Sequence, residues 1–342
     1  MKSIVHTETG PSSVLHLVDR DLPEPGPGEV RVRVVLSGVN PTDWKSRAGE
    51  APGGALPFPE VTPDQDGAGV VDAVGEGVTG LTVGDRVWTY LSAHQRPTGT
   101  AQEHTVLPAG RVVPLPDTAS MELGASLGVP AMTAHRALTV REDGPSRLAP
   151  GALAGSTVLV AGGAGAVGHA AIQLARWAGA TVVTTVSGDE KAALAAAAGA
   201  HHIVNYREQD VAAVVRELAP DGVDVVVEVS LSQNAAVDQQ VVAHRAAVAI
   251  YANDGDDRAT LDLRANMVTN ARYQFVLLYT VGDAALRAAV EDVSAAVRDG
   301  ALEVGEATGL PLHEYPLERT GDAHDAVEQG AVGKVLVRVG RE

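Results

Sequence analysis

Ser156-Thr-Val-Leu-Val-Ala161 runs directly into Gly162-Gly-Ala-Gly-Ala-Val-Gly168, and a stretch rich in Ala, Ile and Leu follows. An apolar run of strand length, a glycine turn and a helical pattern therefore arrive in the order of a βαβ unit. Glycines suit the turn because the chain bends sharply, the backbone must approach a pyrophosphate, and the helix must pack closely on the strand. The helix N-terminus then offers unpaired N–H groups to the anion. The segment thus reads as a dinucleotide fingerprint. Its alternative is a glycine-rich turn that binds nothing.

Outward from this turn, Ala-rich helical segments alternate with strands expected at 156–161, 181–186, 202–205, 223–229, 246–251 and 273–279. Six strands with intervening helices predict a doubly wound parallel α/β sheet. A helix is expected over 283–299, and a closing strand over 334–339 that returns to the first domain. Before residue 127 the pattern changes to short β-like runs broken by Gly and Pro, at 30–36, 69–74, 86–90, 103–107 and 112–115. That half reads as an all-β, loop-rich module. The expected division is 1–127 with 280–342 for the β-rich domain and 128–279 for the dinucleotide-binding domain.

The chain has 342 residues, 45% of them hydrophobic, a net charge of −17 and no cysteine. That length and hydrophobic share suffice for two ordinary cores. The acidic surface argues against nucleic acid and other polyanionic partners. Without cysteine, disulfides, thiolate catalysis and cysteine-ligated zinc are excluded, which fits a cytoplasmic protein. No apolar run reaches the roughly 18 residues of a membrane span, so no membrane partner is expected.

Cofactor choice is decided at the end of the second strand, where a carboxylate binds a free ribose diol and a basic or hydroxyl group suits a 2′-phosphate. The chain reads Thr184-Thr185-Val186-Ser187-Gly188, with Lys191 one turn later. No carboxylate closes the strand. Ser187 and Lys191 favour NADPH, while Asp189 and Glu190 are read as first-turn acids favoured by the helix dipole. Lys191 as an ordinary solvated lysine stays open.

Several segments carry a family resemblance: Gly38-Val-Asn-Pro-Thr-Asp-Trp44, Asp66-Gly-Ala-Gly-Val-Val71, Val83-Gly-Asp-Arg-Val-Trp88, Ala131-Met-Thr-Ala-His-Arg-Ala-Leu138 and the glycine turn. Asn205-Tyr206-Arg207 and Gly333-Lys334-Val335 add to it. Together they resemble zeta-crystallin-type quinone oxidoreductases of the medium-chain dehydrogenase/reductase superfamily over nearly the whole length. The resemblance implies a Rossmann domain beside a GroES-like catalytic domain, NADPH as cofactor, a quinone as acceptor and a homodimer paired through the sixth strand. Zinc-dependent relatives carry cysteine where this chain has Asn40, and Gly-His-Glu where it has Asp64-Gln65-Asp66, so no metal is expected.

By the same resemblance, Asn40, Tyr90 and Thr133 are expected to be catalytic, with Asn40 at the floor of a cleft facing the nicotinamide. Asp43, Trp44 and Tyr279 are expected at the substrate. Gly163, Ala164, Gly165, Ala166, Val167, Ser187, Lys191, Tyr206, Ser232, Tyr251, Asn253 and Leu278 are expected to hold the cofactor. Plainer alternatives are a turn before Pro41 for Asn40, a helix cap for Thr133, and core or rim packing for the aromatics. Relatives carry a tyrosine where Glu50-Ala51 follow Arg47-Ala48-Gly49 here, and glycine where this chain has Asp64 and in the stretch Tyr251 to Asp254. Reduction of an enone or alkenal double bond is the competing activity. A non-catalytic NADPH-binding protein with an RNA contact is a third reading, disfavoured by the acidic surface.

Overall fold

The computed structural model describes every residue except 51–53, 55, 254 and 342. Ala51 and Asp254, singled out above, lie outside the described residues. The chain divides into two compact units, residues 1–129 with 311–342 and residues 130–310.

The second unit holds a six-stranded sheet of Thr157–Ala161, Thr181–Val186, His202–Asn205, Val223–Glu228, Val242–Ile250 and Arg272–Phe275. Its spatial order is third, second, first, fourth, fifth, sixth, and every pairing is parallel. The strands are rich in valine because helices cover both faces of a parallel sheet; Val158, Val160, Val182, Val183, Val225 and Val226 are all buried. Two strands depart from expectation. The fifth begins at Val242, since it pairs with Val223 before a register shift, with Arg245 in the left-handed region at φ 64°. The sixth ends at Phe275; the apolar residues beyond it turn into a 3-10 segment, Leu278–Thr280. A short apolar run does not by itself distinguish strand from turn.

The helix Asp283–Arg298 packs on the helices Met132–Leu138 and Ala166–Trp177, so this unit runs to residue 310 and not 279. The anchor is Asp292. Its carboxylate meets His135 Nε2 at 2.7 Å and accepts from Leu148 N at 2.7 Å and Arg147 Nε at 2.8 Å. Burial alone would raise the Asp292 pKa, but the bonds from His135, Arg147 and Leu148 outweigh it and hold the carboxyl at about 2.

The first unit is built on a seven-stranded sheet in which Leu312–Pro316, Lys334–Arg338, Glu29–Val39, Asp66–Val74, Arg86–Thr89 and Val112–Pro114 lie in that order. His104–Pro108 also pairs with Glu29–Val39. The closing strand lies antiparallel to Glu29–Val39, pairing Val335 with Val39, which is the return expected from the sequence. Val30, Val32, Val71, Val87, Leu107 and Val112 pack one core cluster of this sheet. The module is not all-β. It contains the helices Pro41–Ala48, Met121–Ser126 and Thr320–Glu328, short segments whose period does not stand out among glycine and proline.

Candidate active site

In the second unit all six strands run the same way, so their C-terminal ends share one edge. Ala161 pairs with Thr185, Asn205 with Val186, and Glu228 with Ile250, which in turn pairs with Phe275. Strand order reverses between the first and fourth strands, which is where open α/β sheets bind ligands. The fingerprint turn lies there. Gly162 has φ 71°. A Cβ on Gly163 would stand 2.2 Å from Thr184 Oγ1, and one on Gly168 would stand 2.4 Å from Gly162 O. Gly165 caps the helix Ala166–Trp177 without a side-chain hydrogen bond, leaving the first-turn N–H groups of Ala166 and Val167 to an anion.

The other expected cofactor residues follow the ends of neighbouring strands. Ser187 comes directly after the second strand, and Lys191 lies in the helix Asp189–Ala197; both are half-buried. Tyr206 follows the third strand with its ring open to solvent. Ser232 lies in the helix Leu231–Val241, where its hydroxyl accepts from Asp256 N at 3.1 Å. Tyr251 and Asn253 follow the fifth strand, and Asn253 bridges to Ser230. Leu278 and Tyr279 follow the sixth, the first buried and the second half-buried. Thr133 is also in this unit. It lies inside the helix Met132–Leu138 and is not its cap, and among the described residues its hydroxyl has no hydrogen-bond partner.

Sequence reasoning missed Glu228 and Asp238. Glu228 Oε1 accepts from Ser230 N and from Asn234 Nδ2, whereas Glu228 Oε2 and Asp238 Oδ2 are buried with no donor. Burial raises both carboxyls, and the charge of Glu228 raises Asp238 further. The signal was an acid closing the apolar run Val225-Val226-Val227.

Asn40 and Tyr90 belong to the first unit. Asn40 is 2% exposed, and its amide makes three hydrogen bonds: Nδ2 donates to Asp66 Oδ2 at 2.7 Å and to Gly38 O at 3.3 Å, and Oδ1 accepts from Lys334 Nζ at 2.7 Å. Its backbone N–H donates to Asp43 Oδ2 at 2.7 Å, which starts the helix Pro41–Ala48. Tyr90 is buried beside Trp88, and its hydroxyl donates to Gly110 O at 2.8 Å. Asp43 is buried; Trp44 is half-buried with the Lys45 ammonium 5.7 Å from its ring centre. Asp64 lies in the left-handed region at φ 76°, where glycine is the unstrained choice. The carboxylate bonds that offset this strain are from Ser37 Oγ at 2.8 Å and His324 Nε2 at 2.9 Å. Asp64 is therefore a buried tie between Ser37 and His324.

Zinc does not fit here. The three positions that hold or flank the metal in zinc-dependent relatives carry an amide, an amide and a carboxylate. Gln65 Oε1 accepts from Ala93 N at 3.1 Å, and the Lys334 ammonium stands 3.8 Å from Asp66 Oδ2. A buried cation belonging to the chain thus already compensates the carboxylate.

A doubly wound sheet with a glycine turn at its switch point, joined to a β-rich unit closed by the C-terminal strand, defines a dinucleotide-dependent oxidoreductase of the medium-chain dehydrogenase/reductase class. The zinc-binding dehydrogenase family matches residues 166–295, and the alcohol dehydrogenase GroES-like domain matches residues 26–117. Quinone oxidoreductase from Lama guanicoe is 30% identical, covering 98% of this chain and 97% of that protein. A 2-haloacrylate reductase from a Burkholderia species is 37% identical over 66% of this chain and 65% of its own. Among solved structures, an NAD-dependent alcohol dehydrogenase aligns at a TM-score of 0.84 and 28% identity, covering 99% of this chain and 100% of that one. A mycobacterial protein complexed with NADPH aligns at 0.81 and 29%, with the same coverage. The chain belongs to the quinone oxidoreductase family of the medium-chain dehydrogenase/reductase superfamily.

Proposed function

We propose that this chain reduces a quinone with NADPH and without a metal. The observation that carries the reading is the glycine turn, closed to any Cβ at Gly163 and Gly168, in a chain that matches a quinone oxidoreductase over 98% of its length. NADPH supplies the hydride. The chain's task is to position it: the turn and the helix N-terminus take the pyrophosphate, Tyr206 packs the adenine, and Thr133 offers a hydroxyl to the nicotinamide edge. Asn40 acts as a positioning residue, because both amide N–H groups and one lone pair of Oδ1 are already engaged by Asp66, Gly38 and Lys334. Tyr90, buried beside Trp88 with its hydroxyl donating to Gly110 O, is assigned to packing.

The test is NADPH oxidation by exhaustively chelated protein, with a phenanthrenequinone compared against an alkenal. Turnover of the quinone is expected. Turnover of the alkenal alone would favour double-bond reduction, as the 2-haloacrylate reductase likeness suggests, and activity appearing only on zinc addition would reject the metal-free reading.

Cofactor preference gives a separate expectation. Charge-assisted bonds from Ser187 and Lys191 to a 2′-phosphate contribute about 1.5 to 3 kcal/mol each before screening. NADPH should exceed NADH at least about tenfold in kcat/KM, equivalent to about 1.4 kcal/mol. Lys191→Ala should erode that ratio by weakening NADPH while leaving NADH kinetics in place. Equal use of both cofactors by the wild type, or equal damage to both by the substitution, would sink the assignment.

A homodimer completes the reading. The sixth strand pairs only with the fifth among the described residues, and Phe275, Leu277, Leu263, Met267 and Val268 beside that edge are large, apolar and exposed. An open apolar edge of this kind is covered by a second copy across a two-fold axis. Light scattering should report about twice 35.1 kDa. Phe275→Asp should lower it, and a wild-type monomer at micromolar concentration would reject the interface.

A further inference from the structure

Three carboxylates of the first unit, Asp43, Asp64 and Asp66, are each buried to 4% exposure or less, with the Lys334 ammonium and the His324 ring beside them. Asp64 has one oxygen on Ser37 Oγ and the other on His324. Both oxygens of Asp66 accept from Val129 N, at 2.9 and 3.0 Å, and Oδ2 also accepts from Asn40. Asp43 differs. Its Oδ2 accepts from Asn40 N, but its Oδ1 is shut off from solvent with no partner. Arg47 Nε and Nη1 and Arg96 Nε are likewise buried without a hydrogen bond. Asp43, Arg47 and Arg96 all line one small cavity of about 40 Å³. A water molecule needs roughly 10 to 15 Å³ of such space and two to four polar partners, and polar cavities of this kind are hydrated where apolar ones stay dry.

We propose that this cavity is a hydration site for two or three water molecules, and that it exchanges protons between solvent and a neutral Asp43. The proton belongs on Asp43 because, of the three acids, it alone has an oxygen with no donor, and Asp43 is the one of them that both lines the cavity and lacks that bond. The surrounding charges agree. Arg47 is offset by Glu328 and Asp325, and Arg96 by Glu29, while Lys334 is spent on Asn40 and the Val39 carbonyl oxygen. His6 and Gln65 face the same cavity, and His6 is held below its ordinary range by burial. Burial, then the charges of Asp64 and Asp66, push Asp43 well above the usual carboxyl range. If the chain is a reductase as proposed above, each hydride delivered calls for one proton, and a solvent-refilled acid beside Asn40 is a store for it; the hydration site and the proton on Asp43 do not depend on that reading.

Infrared spectroscopy of the full chain at neutral pH tests this. Protonated carboxyl groups give a carbonyl stretch apart from the amide bands. Asp43→Asn should remove one component, leaving another that Asp238→Asn removes. In D2O the Asp43 component should shift within minutes while the protein stays folded. Identical wild-type and Asp43→Asn spectra would overturn the proposal, as would a component that stays unshifted for hours. Should Asp43→Asn fail to fold, Asp238→Asn serves in its place: it should keep a protonated-carboxyl band that exchanges in D2O, and its lack of one would count against the proposal equally. A high-resolution crystal structure should show the waters, and a dry cavity would reject the hydration site.

Discussion

Gly168→Ala is expected to weaken NADPH binding at least about a hundredfold, close to 2.7 kcal/mol. A Cβ at this position meets Gly162 O at 2.4 Å and the Gly162 carbonyl carbon and Gly163 Cα at 3.0 Å, all of them backbone. No side chain can rotate aside, so either the turn opens or the helix Ala166–Trp177 moves off the first strand. Either change displaces the N–H groups that face the pyrophosphate. The loss should appear in a fluorescence titration with NADPH, with circular dichroism showing that the sheet persists. Gly110→Ala is the matched control, since a Cβ there meets nothing within 4 Å. Binding by Gly168→Ala within about threefold of wild type would remove the turn from the cofactor site, because a cradle that tolerates the extra carbon is not a close-contact cradle.

Lys334→Met is expected to destabilise the chain by about 3 to 5 kcal/mol, the usual cost of leaving a buried charge without its partner. The ammonium, 2% exposed, donates to Asn40 Oδ1 and Val39 O and stands near Asp66, which is fully buried. Its removal orphans an amide oxygen and leaves the carboxylate uncompensated at once. Burial is the largest influence on both charged groups: it lowers the Lys334 pKa and, against the pull of Lys334 and Asn40, pushes Asp66 up to about 6. The pair is therefore expensive, and Lys334→Met combined with Asp66→Asn should recover part of the loss. Because the folded pKa of Asp66 lies above its ordinary 3.8, the native state keeps a proton that the unfolded chain has released, and this group's contribution to stability falls as pH rises from about 4 to about 6. Urea unfolding of the single and double variants measures the cost. Equal loss in both would mean that the charge pair is not what Lys334 supports.

The parallel sheet was legible because its signals are local. Valine-rich strand runs, the glycine turn and Ala-rich helices each occupy a few consecutive residues, and four of the six strands fall within about two residues of expectation at both ends. Misread boundaries lie where tertiary pairing overrides local pattern, as at Val242, drawn into the sheet by Val223, and at Leu278, turned out of it. The extent of the second unit was misread for a similar reason. The period of 283–298 shows a helix but not which layer receives it, and Asp292 settles that by meeting His135 and Arg147.

Local order along the chain determined the doubly wound sheet, the dinucleotide turn at its switch point and the family, since strand, turn and helix propensities act between near neighbours. Only the tertiary structure decided what the polar residues of the β-rich unit do. Asn40, Asp66 and Lys334 are far apart in sequence, and their meeting depends on the closing strand pairing with Glu29–Val39. A buried amide bonds to whatever partners folding brings to it, so the ties of Asn40 to Asp66 and Lys334 could not be read from the sequence around it.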